Sequence, residues 1–199
     1  MQKSNQKISY NAPVTITFSF ICLIVFIINV VTGGAANEYL FSTYKAPLYS
    51  PLAWLRIFTH VFGHESWNLC FTNIAFLLLI GPTLEEKYER KQILTVIVVT
   101  AVVTALVHYI TYSWIPVCGA SGIVFAFIIL LAFAGAAEEK IPLASILVLL
   151  IFVAHQIYGM FFVRNVLSKI YIIQCSGGFA GAYLGYLLPM ISKTMLSKR

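Results

Sequence analysis

Charge is scarce in this sequence: charged residues make up 10% of it, aspartate is absent, and hydrophobic residues make up 60%. Soluble domains carry roughly 25% charged residues. Water is therefore excluded as the main solvent, and a separate soluble domain with it; the mean hydropathy of +0.88 agrees. Cysteine is also sparse. Cys22, Cys70, Cys118 and Cys175 fall in or beside four different apolar runs, with no C-x-x-C pair and no Cys/His metal box. Buried, inert thiols are the expectation, and no cofactor or metal is expected. Internal repeats and low-complexity segments are lacking too.

What the sequence does have is long apolar runs. About 20 such residues cross a bilayer as a helix. The runs extend from Val14 to Val31, closed by Thr32-Gly33-Gly34; from Trp67 to Leu84, ending at Glu85-Glu86-Lys87; from Ile93 to Ile110; from Ser121 to Ala137; from Ile141 to Phe162; and from Ile170 to Ile191. The expected fold class is all-α, a polytopic membrane bundle of six transmembrane helices. It forms a single domain over 1–199, with short tails at about 1–13 and 192–199. Lys3 and Lys7 precede the first run as in a signal peptide. The length of that run and the five that follow favour a retained span.

Six spans place Lys3, Lys7, Lys87, Arg90, Lys91, Lys140, Lys193, Lys198 and Arg199 on one side, and Lys45, Arg56, Arg164 and Lys169 on the other. The positive-inside rule then puts both termini in the cytosol. The net charge of +6 follows from this bias and suits anionic lipid. No motif supports a nucleic-acid partner.

Polar groups at membrane depth are costly, which makes them the first candidates for function. Gly119-Ala120-Ser121-Gly122 opens the fourth run. A serine at a helix N-terminus lies beside backbone N–H groups that lack intrahelical partners and can stabilise an anionic oxygen. Taken alone this motif also fits helix packing. Asn73, inside the second run, needs a partner or a role, and its NH₂ could donate to an oxyanion. His60 and His64 stand four apart. A zinc site there lacks both the glutamate after the first histidine and a clear third ligand. In the last run, Gly177, Gly178, Gly181 and Gly185 form a smooth packing face.

Taken in order, these pieces resemble the rhomboid family of intramembrane serine proteases, in particular its compact six-helix bacterial members. The likeness runs through Ala12-Pro13-Val14-Thr15, Arg56-Ile57-Phe58-Thr59-His60, His64-Glu65-Ser66-Trp67, Asn73, Gly81-Pro82-x-Leu84-Glu85-Glu86-Lys87-Tyr88, Gly119-Ala120-Ser121-Gly122 and the glycine ladder. It implies a bundle in a bacterial plasma membrane with a water-filled cavity opening to the extracytoplasmic side. The partners it implies are transmembrane segments of other membrane proteins. By the same likeness Ser121 is the nucleophile of a serine–histidine dyad that uses no aspartate. Its own N–H and the Asn73 carboxamide form the oxyanion hole, His60 and His64 hold the first loop and cavity wall, and Glu85 and Glu86 pin the cytosolic end of the second helix.

Two positions depart from the pattern. Three residues before Gly177, where the family carries its general-base histidine, stands Gln174; five after His64, where a second histidine adds an oxyanion donor, stands Leu69. An amide cannot take a proton near neutral pH, and in subtilisin loss of the histidine costs roughly 10⁶ in kcat. His155 is the last histidine in the chain. The family's fifth helix is a lateral gate that does not face the serine, so His155 is expected to be satisfied or water-facing; His108 is a still weaker substitute. Two functions compete: an intramembrane endopeptidase with impaired chemistry, and a non-catalytic relative that binds transmembrane helices. A small transporter is a remote third, because no ionisable residue other than histidine interrupts the runs. The oligomeric state is left open by the sequence.

Overall fold

The computed structural model describes residues 10–47, 49–111, 114–134, 142–162 and 167–196, the side chains of 167–168 and 189–196 excepted. Seven α-helices are described: α1 Pro13–Val31, α2 Pro51–Thr59, α3 Trp67–Lys87, α4 Arg90–Thr111, α5 Ser121–Phe133, α6 Leu143–Phe162 and α7 Leu167–Leu196. Among the described residues there is no strand, only an isolated antiparallel bridge between Thr43 and Val117. By length and composition α1, α3, α4 and α6 can each cross a membrane. The 13 residues of α5 span about 20 Å, short of the roughly 30 Å hydrocarbon core. At 30 residues, or about 45 Å, α7 exceeds that core.

Local chemistry sets the helix ends. Pro13 opens α1, where its missing N–H is not needed. The next two N–H groups, of Val14 and Thr15, donate to the Glu85 carboxylate at 3.1 and 2.7 Å. This ties the start of α1 to the end of α3 and places negative charge at a helix N-terminus. At the far end Gly33 and Gly34 take φ of 61° and 97°, a left-handed turn that suits glycine and closes the helix where the sequence indicates. Ser66 caps α3, its hydroxyl accepting the Leu69 N–H.

Helix α5 is the centre of the bundle, with all but three of its side chains buried. Helix α7 lies in the groove between α4 and α5 and makes its main contacts with those two. Gly177 and Gly181 meet Thr104, Thr100 and the α4 backbone, Gly178 meets Phe125 and the Gly122 carbonyl, and Gly185 meets Val96 and Leu130. In lipid, where apolar burial drives no helix association, such close approach is what holds helices together. Helix α6 is peripheral. Only Gln156 and Gly159 are buried in it, and Gly159 is covered by the Tyr171 ring of α7.

The structure differs from the sequence expectation in three places. Arg56 to His60, expected in the first loop, fall in α2 and the one-turn 3-10 helix His60–Phe62 that follows it. A nine-residue helix is too short to register in a search for spans, although Pro51 at its first position marks its start. The tail expected from residue 192 is helical to Leu196. The fourth run ends its described helix at Phe133. Its expected end at Ala137, the start of the fifth run at Ile141, and Lys3, Lys7, Lys140, Arg164, Lys198 and Arg199 lie outside the described residues.

Candidate active site

The serine is positioned by two loops locked together. Thr43 and Val117 exchange backbone hydrogen bonds of 2.9 and 3.0 Å, and the Gly119 N–H donates to the His60 carbonyl at 2.9 Å. Gly119 takes a φ of 131°, which a side chain rarely tolerates, and so aims the chain into α5 with Ser121 as its first residue. Beneath this, Gly63 packs against Phe41, Cys118 and Asn37 too closely for a Cβ. The Asn37 carboxamide donates to the His64 carbonyl at 2.8 Å, and the Asn29 carboxamide oxygen accepts the Asn37 N–H at 2.9 Å.

Three buried side chains then form one network. His64 Nδ1 lies 3.1 Å from the Phe62 carbonyl, which can only accept. Nδ1 therefore carries the proton and Nε2 is an acceptor. This makes Asn73 present its NH₂ to His64 Nε2, at 3.1 Å. The same NH₂ reaches Ser121 Oγ at 3.2 Å, while the serine hydroxyl can instead donate to Asn73 Oδ1 at 3.3 Å. His64 thus fixes which way the carboxamide beside Ser121 faces. Burial pushes the His64 imidazole down to about 4, against the opposing hydrogen bond to Phe62, so it is neutral at pH 7 and holds the network as drawn.

Ser121 and Asn73 open onto a cavity of ≈ 290 Å³ between α3, α5, α6 and α7. Leu69 and Gln174 line it. Leu69 Cδ2 and Ser121 Oγ each stand 4.0 Å from the point a Cβ at residue 119 would occupy. The Gln174 carbonyl lies 3.4 Å from the corresponding point at Gly122, which sets α7 in register with the start of α5. Gln174 makes no side-chain hydrogen bond, and Ser121 Oγ bonds to Asn73 alone, among the described residues. The cavity also corrects one expectation: α6 does face the serine's cavity, through Phe152, His155 and Gln156. The Phe76 and Phe152 rings meet edge to face at 6.4 Å across the gap between α3 and α6.

The remaining candidates lie around this centre. His60 Nδ1 sits 3.1 Å from both the Arg56 and Ile57 carbonyls, closing the end of α2, and its Nε2 is buried without a partner among the described residues. Burial pushes His60 down to about 4 despite those two carbonyls, with His108 adding to the fall. Arg56 is buried, donates through Nε and Nη2 to the Tyr39 carbonyl at 2.9 and 2.7 Å, and covers the Tyr44 ring. Glu85 joins α3 to α1, whereas Glu86 is exposed and bonds to no described residue. Cys118, behind the serine loop, is pushed up to about 12 by burial and the nearby Glu65, against a hydrogen bond with Ser42. His60 and His64 are each engaged with backbone carbonyls, and no group of three metal-ligating side chains converges among the described residues.

Sequence reasoning passed over Gln156, Tyr171, Asn37 and Asn29. The signal for Gln156 is present in the sequence, since a carboxamide within an apolar run is as notable as Asn73. A search of curated proteins returns no match to the chain. The model of the Rhomboid domain family matches residues 51–194, from the start of α2 to the last turn of α7. Most of the chain lies within that match, and the protein is a member of the rhomboid family.

Proposed function

We propose that this chain receives transmembrane segments of other membrane proteins in the Ser121 cavity, and that its serine endopeptidase chemistry is impaired. On this reading Ser121 is the residual nucleophile, and its N–H together with the Asn73 carboxamide forms the oxyanion hole. Gln174 and Leu69 occupy the places of the base and of a further donor. The observation that carries the proposal is the set of partners around the serine. Among the described residues Ser121 Oγ bonds to a carboxamide only, and Gln174, which lines the same cavity from α7, is a second carboxamide. Neither takes a proton near pH 7, and a serine hydroxyl without a base is a poor nucleophile. The whole of 1–199 acts as one domain in a bacterial plasma membrane, with both termini cytosolic. Labelling by a serine-directed phosphonate tests the chemistry: wild type and Ser121→Ala are expected to label equally, at background. Stoichiometric labelling lost in Ser121→Ala would sink the proposal.

One observation favours a second reading, retained proteolysis with a replacement base. His155 shares the cavity with Ser121 and rests against the Tyr171 ring, 5.8 Å between centroids. No hydrogen bond joins it to the serine, and His155 is an exposed residue of a lightly packed helix. Labelling of the wild type that disappears in His155→Ala would establish this reading in place of the first.

A further inference from the structure

The cavity holds a buried polar group that neither reading uses. Gln156 is only 3% exposed, lines the cavity, and makes no hydrogen bond to any other described residue. Gln174 of α7, half-buried and lining the same cavity, likewise makes none. With Asn73 they put three carboxamides around one space of ≈ 290 Å³. Of the titratable groups that share this lining, His155 and Glu65 are exposed, Tyr171 is half-buried, and Cys118 is buried. The buried part of the wall thus offers neutral donors and acceptors and no full charge.

We infer that this space is a recognition site for the side-chain carboxamide of an asparagine or glutamine carried by a partner transmembrane helix. The inference rests on the proposal that the cavity receives such helices. A carboxamide matches another by pairing N–H with C=O in both directions, which a hydroxyl cannot do. A lysine or carboxylate brought here would lose its hydration with no buried counter-charge to replace it. The partner's peptide groups offer the same amide chemistry, but an intact membrane helix has them already bonded internally. A helix arriving through the gap between α3 and α6, past Phe76 and Phe152, therefore presents side chains, and a carboxamide needs no unwinding to bond. Interhelical bonds of this kind are worth roughly 3- to 30-fold in affinity each.

The test uses the full chain in nanodiscs and a panel of labelled single-span peptides: an apolar Leu/Ala host, the host with one Leu→Asn at the depth of Gln156, one with Leu→Lys there, and one with a Gly-Pro pair there. The Asn peptide is expected to bind at least about 3-fold tighter than the host, with the Lys and Gly-Pro peptides at or below it. Gln156→Leu should bring the Asn-to-host ratio toward one. A ratio of one in the wild type overturns the inference, and so does a ratio that survives both Gln156→Leu and Gln174→Leu. A gain for Gly-Pro equal to that for Asn overturns it in favour of unwound backbone. If the host binds and Asn adds nothing, only this inference fails; if no peptide binds, the proposal that the cavity receives helices fails as well.

Discussion

Acidification from pH 7 toward pH 4 is expected to destabilise the protein through the two buried histidines around the first loop. Burial takes His60 and His64 from the ordinary 6.5 down to about 4. The folded values lie below the unfolded ones, so between about 4 and 6.5 the unfolded chain binds one more proton per histidine. Their contribution is complete above 6.5 and is lost as the pH falls toward 4. Each histidine then adds a slope of about 1.4 kcal/mol per pH unit, or about 3 kcal/mol across the window. For the pair that is on the order of 6 kcal/mol, comparable with the ~5–15 kcal/mol that holds a typical fold together. Protonated, His64 Nε2 also stops accepting from Asn73, so the network around Ser121 is lost with the stability. Denaturant unfolding in detergent at half-unit pH steps gives the slope. His64→Asn lowers stability at pH 7, where the neutral imidazole accepts from Asn73, and its slope should be shallower by about 1.4 kcal/mol per pH unit, so that the deficit shrinks as the pH falls. A variant slope equal to that of the wild type would refute the reasoning.

Three further outcomes follow from the packing and charge pattern. Glu85→Ala removes two charge-assisted bonds to the first turn of α1 and is expected to cost about 2–4 kcal/mol, against less than about 1 kcal/mol for the exposed Glu86→Ala; equal losses would contradict the capping role. Gly181→Ala sets a methyl against the Thr100 side chain and the Val96 carbonyl and should cost about 1–3 kcal/mol, whereas an unchanged unfolding midpoint would mean that α4 and α7 are not in this contact. Reporters fused after Arg90 and Arg199 are expected to read cytosol and one near Tyr49 the outside; a cytosolic Tyr49 reporter would reverse the topology.

The parts of this fold legible in the sequence are those written in short-range chemistry. The end of α1 was readable because Thr32-Gly33-Gly34 can hardly continue a helix, and both glycines do take left-handed φ. The α7 face was readable because small residues at four-residue spacing have one use in lipid, although only the structure shows that Gly177 and Gly181 meet α4 while Gly178 meets α5. Helix α2 escaped because a nine-residue helix beside a membrane lacks the length signal that marks a span. The site was legible mainly by resemblance, since nothing in residue spacing alone brings Asn73, Ser121 and Gln174 to one cavity. The tautomer of His64, which orients Asn73, depends on a backbone carbonyl two residues away and has no trace in the sequence. Gln156 was visible as a polar interruption of the fifth run, but its direction depends on how α6 meets α7, where Tyr171 covers Gly159.

The central claim is that a rhomboid cavity persists here with its chemistry reduced by two side chains, and cleavage by restored variants tests it most directly. Wild type, Gln174→His, Leu69→His and the double variant are compared in proteoliposomes on one generic transmembrane substrate. A positioned general base contributes roughly 10²–10⁴-fold and an oxyanion donor roughly 10²–10³-fold. The account predicts little or no cleavage by the wild type, a gain with Gln174→His, and the largest rate from the double variant, lost again on adding Ser121→Ala. Cleavage by the wild type as fast as by the double variant would contradict it.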